Sequence, residues 1–390
     1  MRPFNMELDP ETTLSHAGRS LGECLDHTVP SRPPSPNDTA DDAPSSSRRA
    51  LEDTLSCLDD GTDAVACTSG RSAVEAVAGL LDADAHVLCA QDCGPTTTSA
   101  LADEDRLSVS YEDVSDREAL TNAVQPNTAA LWIESPSHPQ LRVHDLETLA
   151  AFAEANDLLL IVDNTALSPV LQRPIEHGAD LVVYTTTHHL TGQSDVDGGA
   201  VVARTDAQAE SLHAAARTHD ATASPFNSWL HLRDLKALPA RIQQHETNAR
   251  SLAYDLNEHS AVEQVFYPGL RNHPDHATAR DQQDGYGHLV SVALDPDQID
   301  VNRFLAATDL FTVQEGPGGV SSRIERPDAG PDGLVRLSIG TESTTDLEAD
   351  LAHAFDAARI DDVDPTAPAR APVPVTNHST EPRRSPAPVQ

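Results

Sequence analysis

Residues 178–202 read GADLVVYTTTHHLTGQSDVDGGAVV. Two short apolar runs, 181–184 and 199–203, flank a polar turn. Neither run alternates with polar residues. Strands covered by helices on both faces read this way, as in a largely parallel sheet. The turn carries threonine, histidine, serine and aspartate at a strand end, where open α/β sheets place their chemistry. Working outward, strand signals recur at 64–67, 86–90, 107–111, 129–135 and 158–163, with helical patterns at 71–83 and 145–157. Strands alternating with helices predict an α/β fold. A long helical region is predicted from about Ser228 to Glu258. Beyond it, VEQVFYP, HLVSVAL and LVRLSIG with two helical stretches predict a smaller α+β domain.

The chain has 390 residues and a net charge of −36. That field repels nucleic acid and anionic membranes, so neither is expected as a partner. Among the 26 Lys plus Arg, one is lysine, Lys236. Dense carboxylates spread along the chain with almost no lysine resemble the cytosolic proteins of salt-accumulating halophiles. The five cysteines, Cys24, Cys57, Cys67, Cys89 and Cys93, form no CxxC pair, and free thiols are expected. No apolar run reaches membrane-spanning length and the N-terminus shows no signal region, which predicts a cytoplasmic protein. The expected organisation is an N-terminal segment (1–49), irregular over 28–48. A large domain (50–245), a small domain (246–360) and a disordered Pro-rich tail (361–390) follow.

Three stretches carry a family resemblance: ESPSHPQLRVHDL (134–146), IVDNTALSPVLQRPIEHGADLVVYTTTHHLTGQSDVDGG (161–199) and LVRLSIGTES (334–343). Together they resemble the Cys/Met-metabolism family of pyridoxal-phosphate enzymes, which includes cystathionine γ-synthases and γ-lyases of trans-sulfuration. TTLSHAG (12–18), WLHLRDLKALPAR (229–241) and YPGLRNHPDHATA (267–279) extend the match. The resemblance implies a fold type I, aspartate-aminotransferase-like architecture. A mostly parallel central sheet would lie in the large domain, with a smaller α+β C-terminal domain. It also implies a homo-oligomer, a dimer or tetramer.

The resemblance implies site residues one by one. The family holds its cofactor aldehyde on a lysine in a Ser-x-Thr-Lys loop. Here the loop is Thr185-Thr186-Thr187-His188, so His188 stands at the lysine position. Ser69, Gly70 and Arg71 match a phosphate-binding turn, with Arg71 in place of methionine; Thr185 and Thr187 supply hydroxyls. Without the family context, this turn reads as an ordinary helix N-cap. Asp163 matches the carboxylate that pairs with the ring nitrogen, and Arg336 the arginine that grips a substrate carboxylate. Cys93 replaces a tyrosine that stacks on the ring, and His138 an asparagine. An ungapped count puts Ala40 and Asp42 at a tyrosine and an arginine that relatives lend across a subunit interface.

These departures favour a non-catalytic or strongly altered paralogue, with pyridoxal phosphate bound weakly, noncovalently or not at all. One alternative is a noncovalent pyridoxal- or pyridoxamine-phosphate enzyme using His188 as base. Another is a regulatory or scaffolding subunit in a hetero-oligomer with an active paralogue. A metal held by Cys93, His138, Asp163 and His188 is the remotest reading.

Overall fold

The computed structural model describes Leu14 and residues 46–360. Ala40, Asp42 and the 361–390 tail lie outside the described residues. Residues 46–48, expected to be irregular, instead open helix α1 (Ser46–Leu58), whose Leu51 and Leu55 enter the core. The first half continues as β1 (Asp63–Cys67), α2 (Gly70–Ala78), β2 (His86–Ala90), α3 (Pro95–Ala102), β3 (Ser108–Glu112), α4 (Arg117–Ala123) and β4 (Thr128–Glu134). Then come α5 (Leu146–Ala155), β5 (Leu159–Asp163), α6 (Ser168–Leu171), β6 (Leu181–Thr185) and β7 (Gly199–Ala203). Helices α7 (Asp206–Thr218), α8 (Pro225–Leu235) and α9 (Leu238–Asn257) follow.

These strands form one seven-stranded sheet in the order β1-β7-β6-β5-β4-β2-β3. Strands β3, β2, β4, β5 and β6 run parallel. Strand β7 differs from the expected parallel arrangement: it is antiparallel to both β1 and β6. Residues 186–198 return it to the sheet as a loop without a crossover helix, which permits only an antiparallel neighbour. All five residues of β2 and of β7 are buried, as their unbroken apolar runs predict.

The helical region expected over 228–258 consists of two helices, α8 and α9. Pro239 lies in the first turn of α9, where its missing N–H costs nothing, and the chain re-starts there. Lys236 caps the end of α8 and is exposed.

A second sheet has the order β10-β11-β12-β9-β8, from β8 (Val262–Phe266), β9 (Leu289–Leu294), β10 (Thr312–Val313), β11 (Arg323–Glu325) and β12 (Leu334–Ser338). It is antiparallel except between β10 and β11. Helices α10 (His276–Gln282), α11 (Val301–Ala307) and α12 (Thr344–Ala358) accompany it, one helix more than the pattern predicted. Helix α9 belongs to both halves. Ile242 packs in the first core, while Ala249, Leu252 and Leu256 pack in the second.

Cys67, Cys89 and Cys93 are free and buried. Cys57 is disulfide-bonded, correcting the expectation of free thiols throughout. An odd count and the lack of a CxxC pair do not forbid a bridge between distant segments.

Candidate active site

Strand β4 follows β3 in the chain yet pairs with β2, so the winding direction reverses between β2 and β4. In open α/β sheets the crevice beyond the strand ends at such a reversal is the natural ligand site. Here those ends carry Cys93 and Gly94 after β2, Glu134 on β4, Asp163 on β5 and Thr185 on β6.

Asp163 and Glu134 are register partners, so their side chains share one face. Asp163 accepts from the Thr165 N–H at 3.0 Å and from the Thr97 hydroxyl at 3.5 Å. Glu134 accepts from the Gly94 N–H. Burial pushes both carboxyls up, and the charge of Asp163 raises Glu134 further. Two buried carboxyls side by side each raise the cost of ionising the other, because both charges must be desolvated together. Glu134 was not singled out from sequence; its place at a strand end directly before Ser-Pro was the available signal.

Helix α2 starts at the same edge. Ser69 caps it: its Oγ accepts from the Ser72 N–H at 3.0 Å, and Ser72 Oγ accepts from the Ser69 N–H at 2.8 Å. A Cβ on Gly70 would lie 2.0 Å from Thr185 Oγ1, and one on Gly199 2.2 Å from the Ser69 carbonyl oxygen. Only glycine lets the α2 N-terminus sit this close to the ends of β6 and β7. Thus Ser69, Gly70 and Thr185 converge. Arg71 does not join them with its side chain, which bonds Glu75 at 2.7 Å and Asp103 at 2.8 Å. The Thr187 hydroxyl donates to the Gly198 carbonyl at 3.3 Å and accepts from the Gly198 N–H at 3.1 Å. It staples the loop shut.

His188 lies in a π-helical turn, Thr186–Leu190. Its Nδ1 is 3.1 Å from Ser194 Oγ. Burial, and then the positive charge of Arg323, push its pKa down, with Asp197 opposing. The ring is therefore neutral at pH 7. His189 points the other way and stacks on His288 at 3.8 Å between centroids, with His245 at 5.4 Å.

The Val320 N–H donates to the Gly192 carbonyl at 2.8 Å, joining the His188 loop to the turn before β11. Arg336 on β12 faces Glu325 on β11 as a cross-strand pair. Their N–O distance is 2.7 Å and each side chain is 8% exposed. His138 Nε2 lies 3.5 Å from the same Glu325 oxygen, Oε1. The positive charge of Arg336 acts on Glu134, opposing part of the upward push of burial. Glu325 and Arg323 were not predicted; opposite charges two residues apart on one strand face were the readable sign. Among the described residues, no group of three or more His, Cys, Asp or Glu is arranged to hold a metal ion. The metal reading has no geometric support.

A sequence profile described as Cys/Met metabolism PLP-dependent enzyme matches residues 43–356. Cystathionine beta-lyase of Coxiella burnetii is 36% identical over 328 residues, 79% of this chain and 85% of that protein. Cystathionine gamma-synthase of Mycobacterium tuberculosis is 36% identical over 325 residues, 79% of this chain and 84% of its own length. Among solved structures, cystathionine gamma-lyase from Lactobacillus plantarum complexed with L-serine superposes with a TM-score of 0.82 at 30% identity, over 90% of this chain and 99% of that one. Cystathionine gamma synthase from Xanthomonas oryzae pv. oryzae, with aminoacrylate and cysteine, gives 0.81 at 32%, covering 90% and 98%. With its sheet order and strand-end carboxylate in place, the chain belongs to the Cys/Met-metabolism family of pyridoxal-phosphate-dependent enzymes, among the cystathionine lyases and synthases.

Proposed function

We propose that this chain keeps the trans-sulfuration fold but has lost the standard lyase or synthase reaction. On this reading pyridoxal phosphate binds weakly and without covalent attachment, or not at all. One observation carries the reading. The chain's single lysine, Lys236, is exposed at the end of α8, while the loop after β6 offers the neutral imidazole of His188. An imidazole cannot replace a primary amine in holding an aldehyde.

The residues fit parts of the cofactor. Asp163, beside Glu134, would take the protonated ring nitrogen, and the Ser69–Gly70 turn with Thr185 would face the phosphate. When bound, the cofactor would supply an electron sink for bonds at a substrate's α-carbon. The covalent anchor does not fit, nor does the ring face, where Cys93 offers no aromatic surface.

The test is to purify the protein in high salt and titrate it with pyridoxal phosphate and with pyridoxamine phosphate. Absorbance is followed after gel filtration, and cystathionine cleavage and synthesis are assayed. We expect no retained chromophore and no turnover; tight retention or turnover overturns the proposal. The same columns report oligomeric state, which we expect to be a homo-oligomer.

A second reading, a noncovalent enzyme with His188 as base, draws support from one feature. The His188 ring is neutral and oriented by Ser194, in the same crevice as Asp163. Retention of pyridoxamine phosphate alone would favour it.

A further inference from the structure

We propose that the stacked rings of His189, His245 and His288 form an acid-released latch. While neutral they hold the loop that carries His188 against the small domain, and on taking up protons they let it go. The inference does not depend on whether a cofactor binds.

The three rings come from three elements. His189 sits in the turn after β6, His245 on α9, and His288 directly before β9 in the small domain. His189 and His288 lie face to face, 3.8 Å between centroids and 7° from parallel. His245 stands 5.4 Å from the first ring and 5.6 Å from the second. Each residue is at most 1% exposed. None of their six ring nitrogens has a hydrogen-bond partner among the described residues. Only the Ala166 carbonyl draws near enough to favour charge on His288. The charged groups that face the rings are Arg241 on α9 and Arg336 on β12, and both oppose a proton there. Arg241 also donates to the Leu190 carbonyl at 2.8 Å, fastening the same turn to α9. Glu246, next to His245 in the chain, is engaged by the Tyr286 N–H at 2.8 Å. A proton on any ring therefore meets burial, a stacked neighbour and an arginine, with no carboxylate to offset them. The closed latch stays neutral, while a released histidine takes up a proton near its ordinary pKa of about 6.5. Falling pH then favours release, by up to about tenfold per pH unit for each ring and about a thousandfold for three. What is held is the loop itself. The Gly192 N–H donates to the His188 carbonyl at 2.6 Å, and the Val320 N–H of the small domain donates to the Gly192 carbonyl at 2.8 Å.

The test is amide hydrogen exchange of the full-length protein in high salt between pH 7.5 and 5, corrected for the pH dependence of the chemical exchange step. The Gly192 and Val320 amides report the latch, and β5 (Leu159–Asp163) in the first core is the reference. Below pH 6 the reporter protection should fall by more than about tenfold per pH unit, while β5 stays protected. His189→Phe/His288→Phe keeps rings in the stack and removes two proton acceptors, so its fall should be about tenfold per unit or less. A wild-type fall no steeper than tenfold overturns the proposal. So does a steeper fall in the double variant, or a wild-type loss that β5 shares equally, which is global unfolding. If the double variant does not fold, His189→Phe alone is measured. A shallower slope than the wild type supports the proposal and an equal slope overturns it. Exchange is followed without pyridoxal phosphate, so this readout stands apart from cofactor retention.

Discussion

His188 and His189 are neighbours in the chain with unlike fates. His188 faces Ser194 at the mouth of the crevice. His189 is fully buried against His288 and His245, and neither of its ring nitrogens has a hydrogen-bond partner. Adjacent side chains at the end of a strand diverge, so the pair never acts as a unit. If the cofactor site is eroded beyond its missing amine, His188→Lys alone will not restore cystathionine cleavage. The comparison is with His188→Lys combined with Ala40→Tyr and Asp42→Arg, assayed for cleavage in the presence of pyridoxal phosphate. Activity in the single variant would place the whole defect at position 188. His189 invites a different substitution. His189→Phe keeps the ring contact and removes two buried unpaired nitrogens, so we expect a gain of about 1–3 kcal/mol in chemical denaturation.

At the scale of elements, the crevice depends on how α2 meets the ends of β6 and β7. Ser69 and Ser72 satisfy each other's backbone N–H groups, and the glycines at 70 and 199 permit the approach. Ser69→Ala removes the cap and should lower stability by about 1 kcal/mol in urea unfolding, without changing the far-ultraviolet helix signal. The strands were largely legible: β2 is buried throughout at the residues read as a strand, and β5 ends on the expected aspartate. Within the expected helical region, the break between α8 and α9 falls just before Pro239, which sits in the first turn of α9. The direction of β7 was missed, since an apolar run carries no arrow and only the intervening loop sets it.

At the scale of the whole molecule, buried acids dominate the pH response. Asp59, hydrogen-bonded by the Tyr184 hydroxyl at 2.8 Å, is pushed up to about 8 by burial. Glu52, buried under β1, is pushed up to about 7 for the same reason. Each holds a proton in the fold that the unfolded chain releases near pH 4. Their contribution is complete below that and is lost as pH rises through 7 and 8. Buried histidines act in the opposite sense. Burial pulls His245 down to about 4, so the unfolded chain takes up protons first as pH falls below 6.5. Only above about pH 7.5, where the unfolded chain's histidines are neutral, does the Asp59 effect stand clear of them, and there stability should fall by up to roughly 1 kcal/mol per pH unit until Asp59 ionises. Unfolding midpoints in buffers of constant salt would show this slope. Asp59→Asn should make it shallower, and an unchanged slope would rule Asp59 out as a source.

The sequence by itself determined the α/β alternation and the family. Those rest on local signals: apolar runs, turn residues and motifs in fixed order. It also determined that only one primary side-chain amine exists in the chain, a matter of counting. What the tertiary structure alone decided is how those residues are spent. Arg71 matched a phosphate turn by position but is bound by Glu75 and Asp103, and the Thr187 hydroxyl closes its own loop. Arg336 matched a substrate-binding arginine by position and is ion-paired with Glu325. Asp163 acquired a second buried carboxyl beside it because β4 and β5 place Glu134 there. A motif fixes which groups are available; their partners come from strands and helices distant in the chain, and burial sets how strongly each partner binds.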